Sequence, residues 1–136
     1  WQVGPDGGGN TFTVFNQSGT GVYVSNGGTS WTANSDERVK ENIEDATPKL
    51  EDLCKVKVRN FNLKSDPTHK QVGFIAQEFE QVFPDLIDEW IDPSPEGEEP
   101  YKSVRQDLIP VLVKAIQEQQ AQINQLTQRL AALEGK

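Results

Sequence analysis

This 136-residue chain has no methionine, one cysteine and one histidine. A single thiol, Cys54, excludes an internal disulfide, and it reads as a small hydrophobe of the core rather than a nucleophile. His69 stands alone in a Pro-containing turn and is expected to be exposed and inert. The carboxylates are spread over helices and a loop instead of being gathered in an apolar setting. Neither a metal centre, nor a cofactor, nor acid–base work on a sugar has support in that pattern. Basic residues are scarce as well: 13 Lys and Arg against 21 Asp and Glu leave a net charge of -8, which excludes a nucleic-acid or anionic-membrane surface. No apolar run approaches the roughly 20 residues of a membrane span, and no basic stretch followed by an apolar one opens the chain. Hydrophobic residues make up 35%, enough for a modest core, so the chain is expected to lean on partners for stability. Without a methionine, it reads as the excised end of a longer protein.

What is present changes texture abruptly near residue 34. Most of the eleven glycines precede that point, among short alternating runs, Thr11–Phe15 and Val22–Val24, with turn signals at Asn16–Gly19 and Ser25–Gly28. These predict short strands that are marginal unless they join a larger sheet or the same segment of other chains. The end of an elongated β stalk is favoured, a flexible glycine linker being the alternative. Gly7-Gly8-Gly9 lacks the strand and helix context of a phosphate loop and reads as a turn.

Beyond the junction the chain is charged and largely helical. Val39 and Ile43 predict a short amphipathic helix capped by Ser35 or Asp36. Thr47-Pro48 predicts a second start, Thr as N-cap and Pro at N1, with Leu50 and Leu53 turned inward. Val56 to Leu63 alternates as a strand with a bulge between Val58 and Phe61. Ser65–Thr68 is a turn, Gln71–Ile75 a partner strand running into a helix over 76–82, and Pro84 follows its end. Leu86–Ile91 is a further strand, and Asp92–Glu99 a mobile acidic loop ahead of Tyr101–Val104.

The last segment carries a heptad. Ile109, Leu112, Ile116, Gln119, Ile123, Leu126, Leu130 and Leu133 alternate steps of three and four, with Ile109, Ile116, Ile123 and Leu130 at a. That predicts an oligomerising coiled coil of two or three strands, in which Gln119 at d sets register. An amphipathic helix docked on its own domain is the alternative.

Chemistry concentrates in Asn34-Ser35-Asp36-Glu37-Arg38-Val39-Lys40. A serine hydroxyl becomes a nucleophile when a base takes its proton, and a lysine serves if burial or charge holds it neutral. On one regular helix, positions i and i+5 differ by about 140°, so Ser35 must lie outside the helix or be served by Lys40 of another subunit. Taken alone, the pair reads first as an N-cap serine and a solvated lysine, and only the rest of the pattern reverses that reading.

With that junction motif, Gly73-Phe74-Ile75-Ala76-Gln77-Glu78, Pro84, Tyr101 and the long C-terminal helix, the sequence over about residues 31–135 resembles the intramolecular chaperone domain that ends phage endosialidases and other tail spikes and fibres, also classed as self-cleaving S74 peptidases. The resemblance implies an α+β fold: the end of a β stalk over 1–34, a small mixed domain over 35–106 and a coiled-coil helix over 107–136, intertwined as a homotrimer. It implies a helper that aligns three copies of the upstream stalk and then cuts at Asn34–Ser35, with Ser35 as nucleophile and Lys40 as base. The setting it implies is a virion tail or neck appendage precursor assembled in the host cytoplasm, the chaperone part being released. A non-cleaving structural or receptor-binding trimeric tip is the alternative.

Overall fold

A computed structural model of the chain describes residues 2–5, 10–17, 21–90, 97–105 and 107–135, the Trp90 side chain excepted. The expected Gly7–Gly9 turn, the end of the Asn16–Gly19 turn, Ile91 and most of the Asp92–Glu99 loop lie outside those residues. The chain is α+β, with its strands in small antiparallel sheets and one long C-terminal helix. It divides into two compact units, residues 1–45 and 46–136.

The first unit is an antiparallel meander of β1 (Gln2–Pro5), β2 (Thr11–Phe15), β3 (Gly21–Ser25) and β4 (Thr32–Ala33), paired in that order. Its register sets Val3 beside Val14, Val14 beside Val22 and Val22 beside Ala33, with Pro5, Phe12 and Val24 aligned in the parallel row. Because side chains alternate across a sheet, those residues share one face. Little within the unit covers that face. Val3 stays 66% exposed and Phe12 46%, with Trp31 leaning over the Phe12 ring at 6.1 Å. None of the unit's described residues is buried, and a small sheet with a bare apolar face is marginal in water by itself.

The second unit builds a core around one aromatic stack. It runs α1 (Leu50–Lys55), β5 (Arg59–Leu63), β6 (Asp66–Gly73), α2 (Ala76–Phe79), a 3₁₀ turn over Pro84–Leu86, β7 (Ile87–Trp90), β8 (Tyr101–Val104) and α3 (Ile109–Glu134). β5 pairs with β6 and β7 with β8, two separate antiparallel hairpins. Phe79, at the end of α2, is 2% exposed and sits between Phe74 and Phe83 at ring distances of 4.9 and 5.6 Å. Phe83 and Ala115 of α3 are the other buried residues among those described. On α3 the half-buried or buried positions are Val111, Lys114, Ala115 and Glu118, and every described residue from Gln119 onward is exposed. That i, i+3, i+4, i+7 stripe docks the head of the helix on its own unit. It is a different stripe from the heptad, since Leu112 and Ile116 lie about 100° further round the helix than Val111 and Ala115.

Several local expectations shift, each for a tertiary reason. The helix predicted to carry Val39 and Ile43 is a single 3₁₀ turn over Glu37–Val39. Lys40 is already extended, Asn42 adopts a left-handed φ of 53°, and no neighbour buries Ile43, which is 67% exposed. The helix expected from Thr47-Pro48 begins at Leu50 after Lys49, without a side-chain cap of its own. Its cap arrives from α3: the Glu118 carboxylate accepts the Lys49 and Leu50 backbone N–H groups at 2.8 and 3.1 Å, the favourable place for negative charge at a helix N-terminus. Cys54 is exposed, not core, because α1 buries none of its residues. The strand expected from Val56 starts at Arg59, and its irregularity falls between Asn62 and Leu63 instead of between Val58 and Phe61. The turn sits at Lys64-Ser65, and Asp66-Pro67-Thr68 belongs to β6. Pro67 is tolerated in that strand because the register skips it, Leu63 pairing with Asp66 and Asn62 with Lys70. α2 ends at Phe79 rather than Val82, although Phe83 N–H still bonds to the Phe79 carbonyl at 2.9 Å. The strand expected over Leu86–Ile91 is β7, its first residue being Ile87.

Replacing Glu118 by Ala leaves two helix N–H groups without their carboxylate. The expected outcome is a loss of about 1–2 kcal/mol of unfolding free energy, read by urea denaturation followed at the helix signal. An unchanged midpoint would show that the carboxylate contributes nothing net.

Candidate functional site

The junction is built on the last strand of the meander. The Asn34 N–H donates to the Gly21 carbonyl at 3.2 Å, extending the β3–β4 pairing by one bond past Ala33. On its other edge Gly21 lets β3 approach β2 closely, because a Cβ there would overlap the Val14 carbonyl and the Phe15 Cα. Chain direction then changes. The Asn34 side-chain oxygen accepts the Asp36 N–H at 3.2 Å, an Asx-type bond that turns the backbone around Ser35.

Asp36 continues the turn as an N-cap, its side chain accepting the Arg38 N–H at 2.9 Å. The Arg38 guanidinium closes on the same carboxylate in a fork, Nε to Oδ1 and Nη2 to Oδ2, both at 2.8 Å. This pairing, first through the Arg38 side chain and then through its amide, holds the Asp36 carboxyl at about 2, below its ordinary 3.8, and raises the Arg38 guanidinium in return.

Ser35 and Lys40 flank this one turn, both in non-helical chain, so the angular obstacle of a shared regular helix does not arise. Lys40 Nζ donates to Ser35 Oγ at 2.6 Å within one polypeptide. Both side chains are exposed. Had the five steps from Ser35 to Lys40 been fully extended, their Cα atoms would stand about 17 Å apart, further than a lysine reaches. Beside the Asn34–Ser35 bond lies a cleft of about 290 Å³ that the Thr13, Phe15 and Tyr23 positions of the sheet also line. Open volume therefore adjoins the peptide bond that joins these two residues.

The heptad residues lie along α3 within the second unit, on a stripe other than the one that docks the helix. Ile109 is 73% exposed, and Leu112, Ile116, Ile123, Leu126, Leu130 and Leu133 are likewise uncovered, as is Gln119. Other polar side chains form pairs rather than a centre: Arg59 with Glu78, Lys102 with Glu80, and the exposed His69 ring nitrogen with Asp66 at 2.8 Å. No three His, Cys, Asp or Glu side chains gather as metal ligands among the described residues.

Sequence reasoning brought out Ser35 and Lys40 but passed over the Asp36–Arg38 fork, the Asn34 side-chain acceptor and Gly21. The first had a legible signal, an N-cap acid two residues before an arginine. The contribution of Gly21 depends on strand register and had none.

The depressed Asp36 value fixes a pH window. A carboxyl lowered in the folded state favours the turn fully above about pH 3.8, and that contribution is lost as pH falls through about 2. A carboxyl NMR titration is expected to place the Asp36 midpoint near 2, with the Arg38 amide shifting alongside it. A midpoint near 4 would show that the fork does not persist in solution.

Residues 35–88 match the family model Peptidase_S74, described as chaperone of endosialidase. No curated protein matches the chain.

Proposed function

We propose, on the premise that residues 35–88 carry the chaperone-of-endosialidase domain, that this chain is an intramolecular chaperone which trimerises, aligns the β stalk of a phage tail or neck appendage, and then releases itself by cutting between Asn34 and Ser35. The observation that carries the cutting step is the 2.6 Å approach of Lys40 Nζ to Ser35 Oγ on either side of one exposed turn. In this reading the Lys40 amine, once unprotonated, takes the hydroxyl proton as Ser35 Oγ attacks the Asn34 carbonyl carbon. The Asn34–Ser35 C–N bond breaks and its nitrogen receives that proton, leaving an ester between the Asn34 acyl group and the Ser35 oxygen. Water then hydrolyses the ester to the Asn34 carboxylate and restores the hydroxyl. A route in which the same pair activates a water for direct attack makes the same demand on Lys40, a free amine, which packing against neighbouring copies would favour by removing water.

Two exposed apolar surfaces support the chaperone step. The heptad stripe of α3 is exposed along its length, with only Ile109 and Leu112 at its head bordering a cleft of their own unit, and the apolar face of the β1–β4 meander is only partly covered, Val3 and Phe12 being exposed. Joining three helices along the first makes pairing of the second intramolecular, which raises the effective concentration of stalk strands. After the helper leaves, the stalk is held by slow unfolding.

Intact mass spectrometry of freshly expressed chain tests the cut. Wild type is expected to divide between Asn34 and Ser35, whereas Ser35→Ala and Lys40→Ala stay whole; a wild type that stays whole for a day would favour a permanent fibre tip. Because the contact lies within one polypeptide, Ser35→Ala chains mixed with Lys40→Ala chains are expected to yield no product. Cleavage of the Lys40→Ala chains in the mixture would demonstrate action between subunits.

Assembly has its own measurement. Replacing Ile116 and Ile123 together by Asp places charges in the seam and is expected to convert trimers to monomers in sedimentation velocity. Trimers that survive would assign assembly to the stalk or the globular part.

A further inference from the structure

Resting on the cleavage reading above, we propose that Asp36 is the positioning residue of the cut: its carboxylate closes the chain between Ser35 and Lys40 into one turn and so sets the distance at which amine meets hydroxyl. The turn over Glu37–Val39 contains no buried side chain, so packing does not hold it. Its backbone bonds are two, Val39 N–H to the Asp36 carbonyl at 3.2 Å and Lys40 N–H to the Glu37 carbonyl at 3.0 Å. A 3₁₀ segment this short is marginal when nothing else supports it, since nucleating a turn orders several dihedrals for each bond formed.

Asp36 supplies what is missing, from both sides. Forward, its Oδ1 accepts the Arg38 N–H and Nε–H and its Oδ2 accepts Nη2–H, at 2.8 to 2.9 Å. Backward, its own N–H donates to the Asn34 side-chain oxygen at 3.2 Å, which ties the turn to the residue on the acyl side of the bond to be cut. Its carboxylate bonds run to Arg38, so Asp36 acts on Ser35 and Lys40 only through the backbone it shapes. An exposed ion pair contributes little by itself. Capping is therefore the larger part of the effect, and substitutions that separate capping from charge distinguish the two.

The experiment follows cleavage by intact mass over time for wild type, Asp36→Asn, Asp36→Ser and Asp36→Ala, with sedimentation and thermal unfolding measured on the same samples. Asn and Ser cap a turn about as well as Asp, and Ala does not. The Asn and Ser variants are expected to cut within about threefold of wild type and the Ala variant about fivefold or more slowly. All four are expected to assemble and unfold alike. Three results would each overturn the proposal: Ala cutting as fast as wild type, Asn as slow as Ala, or slowed cutting that tracks a loss of assembly or thermal stability. Wild type that never cuts removes the cleavage reading and this inference together, whereas wild type that cuts beside an equally fast Ala variant removes this inference alone.

Discussion

Phe79 is the largest side chain fully withdrawn from water among the described residues, and residues 46–136 are arranged by what reaches it. Phe74 approaches from the end of β6 and Phe83 from one turn further along the chain, so strand, helix and 3₁₀ turn meet in a single aromatic stack. Aromatic pairs at such distances add to the area they bury, which lets a short α2 hold its place. Ala115 presents a small buried residue on α3, and Glu118, one turn further on, supplies the cap that α1 lacks. The long helix thus serves its own unit with one stripe, and its heptad stripe remains uncovered.

Residues 1–45 have no comparable stack. Their sheet pairs correctly strand by strand, yet its apolar face ends at Trp31 over Phe12. A small sheet of this kind pairs its backbone while part of its apolar surface stays in water, which leaves it marginal by itself. The proposed chaperone role rests on the family match over residues 35–88, and this imbalance is in keeping with it: the unit without a buried core precedes the unit that has one.

The turn from Asn34 to Lys40, within residues 1–45, is held differently again. Ser35 and Lys40 are brought together by a local turn, two short-range side-chain contacts and a register-dependent bond to Gly21, with no buried residue involved. Local control of this sort means that proximity does not wait for the core to form.

Much of this was legible in the chain by itself. Alternation at Thr11–Phe15 and Val22–Val24, the glycine-rich turns and the three-and-four spacing from Ile109 are short-range patterns, and short-range physics suffices to produce strands and a helix from them. The motif from Asn34 to Lys40 was likewise readable, because serine and lysine chemistry depends on residue type and local spacing. Tertiary structure decided the rest. Whether Val39 and Ile43 form a helix depends on a neighbour to bury them, and both stay exposed among the described residues. Where α1 begins depends on Glu118, roughly seventy residues away, and no local propensity encodes a carboxylate delivered from another helix. Cys54 reads as apolar by type but sits on a helix that buries nothing. Register and long-range contact are properties of the folded chain as a whole, whereas spacing could name Ser35 and Lys40 but the shape of the turn that closes them to 2.6 Å had to be seen in the structure.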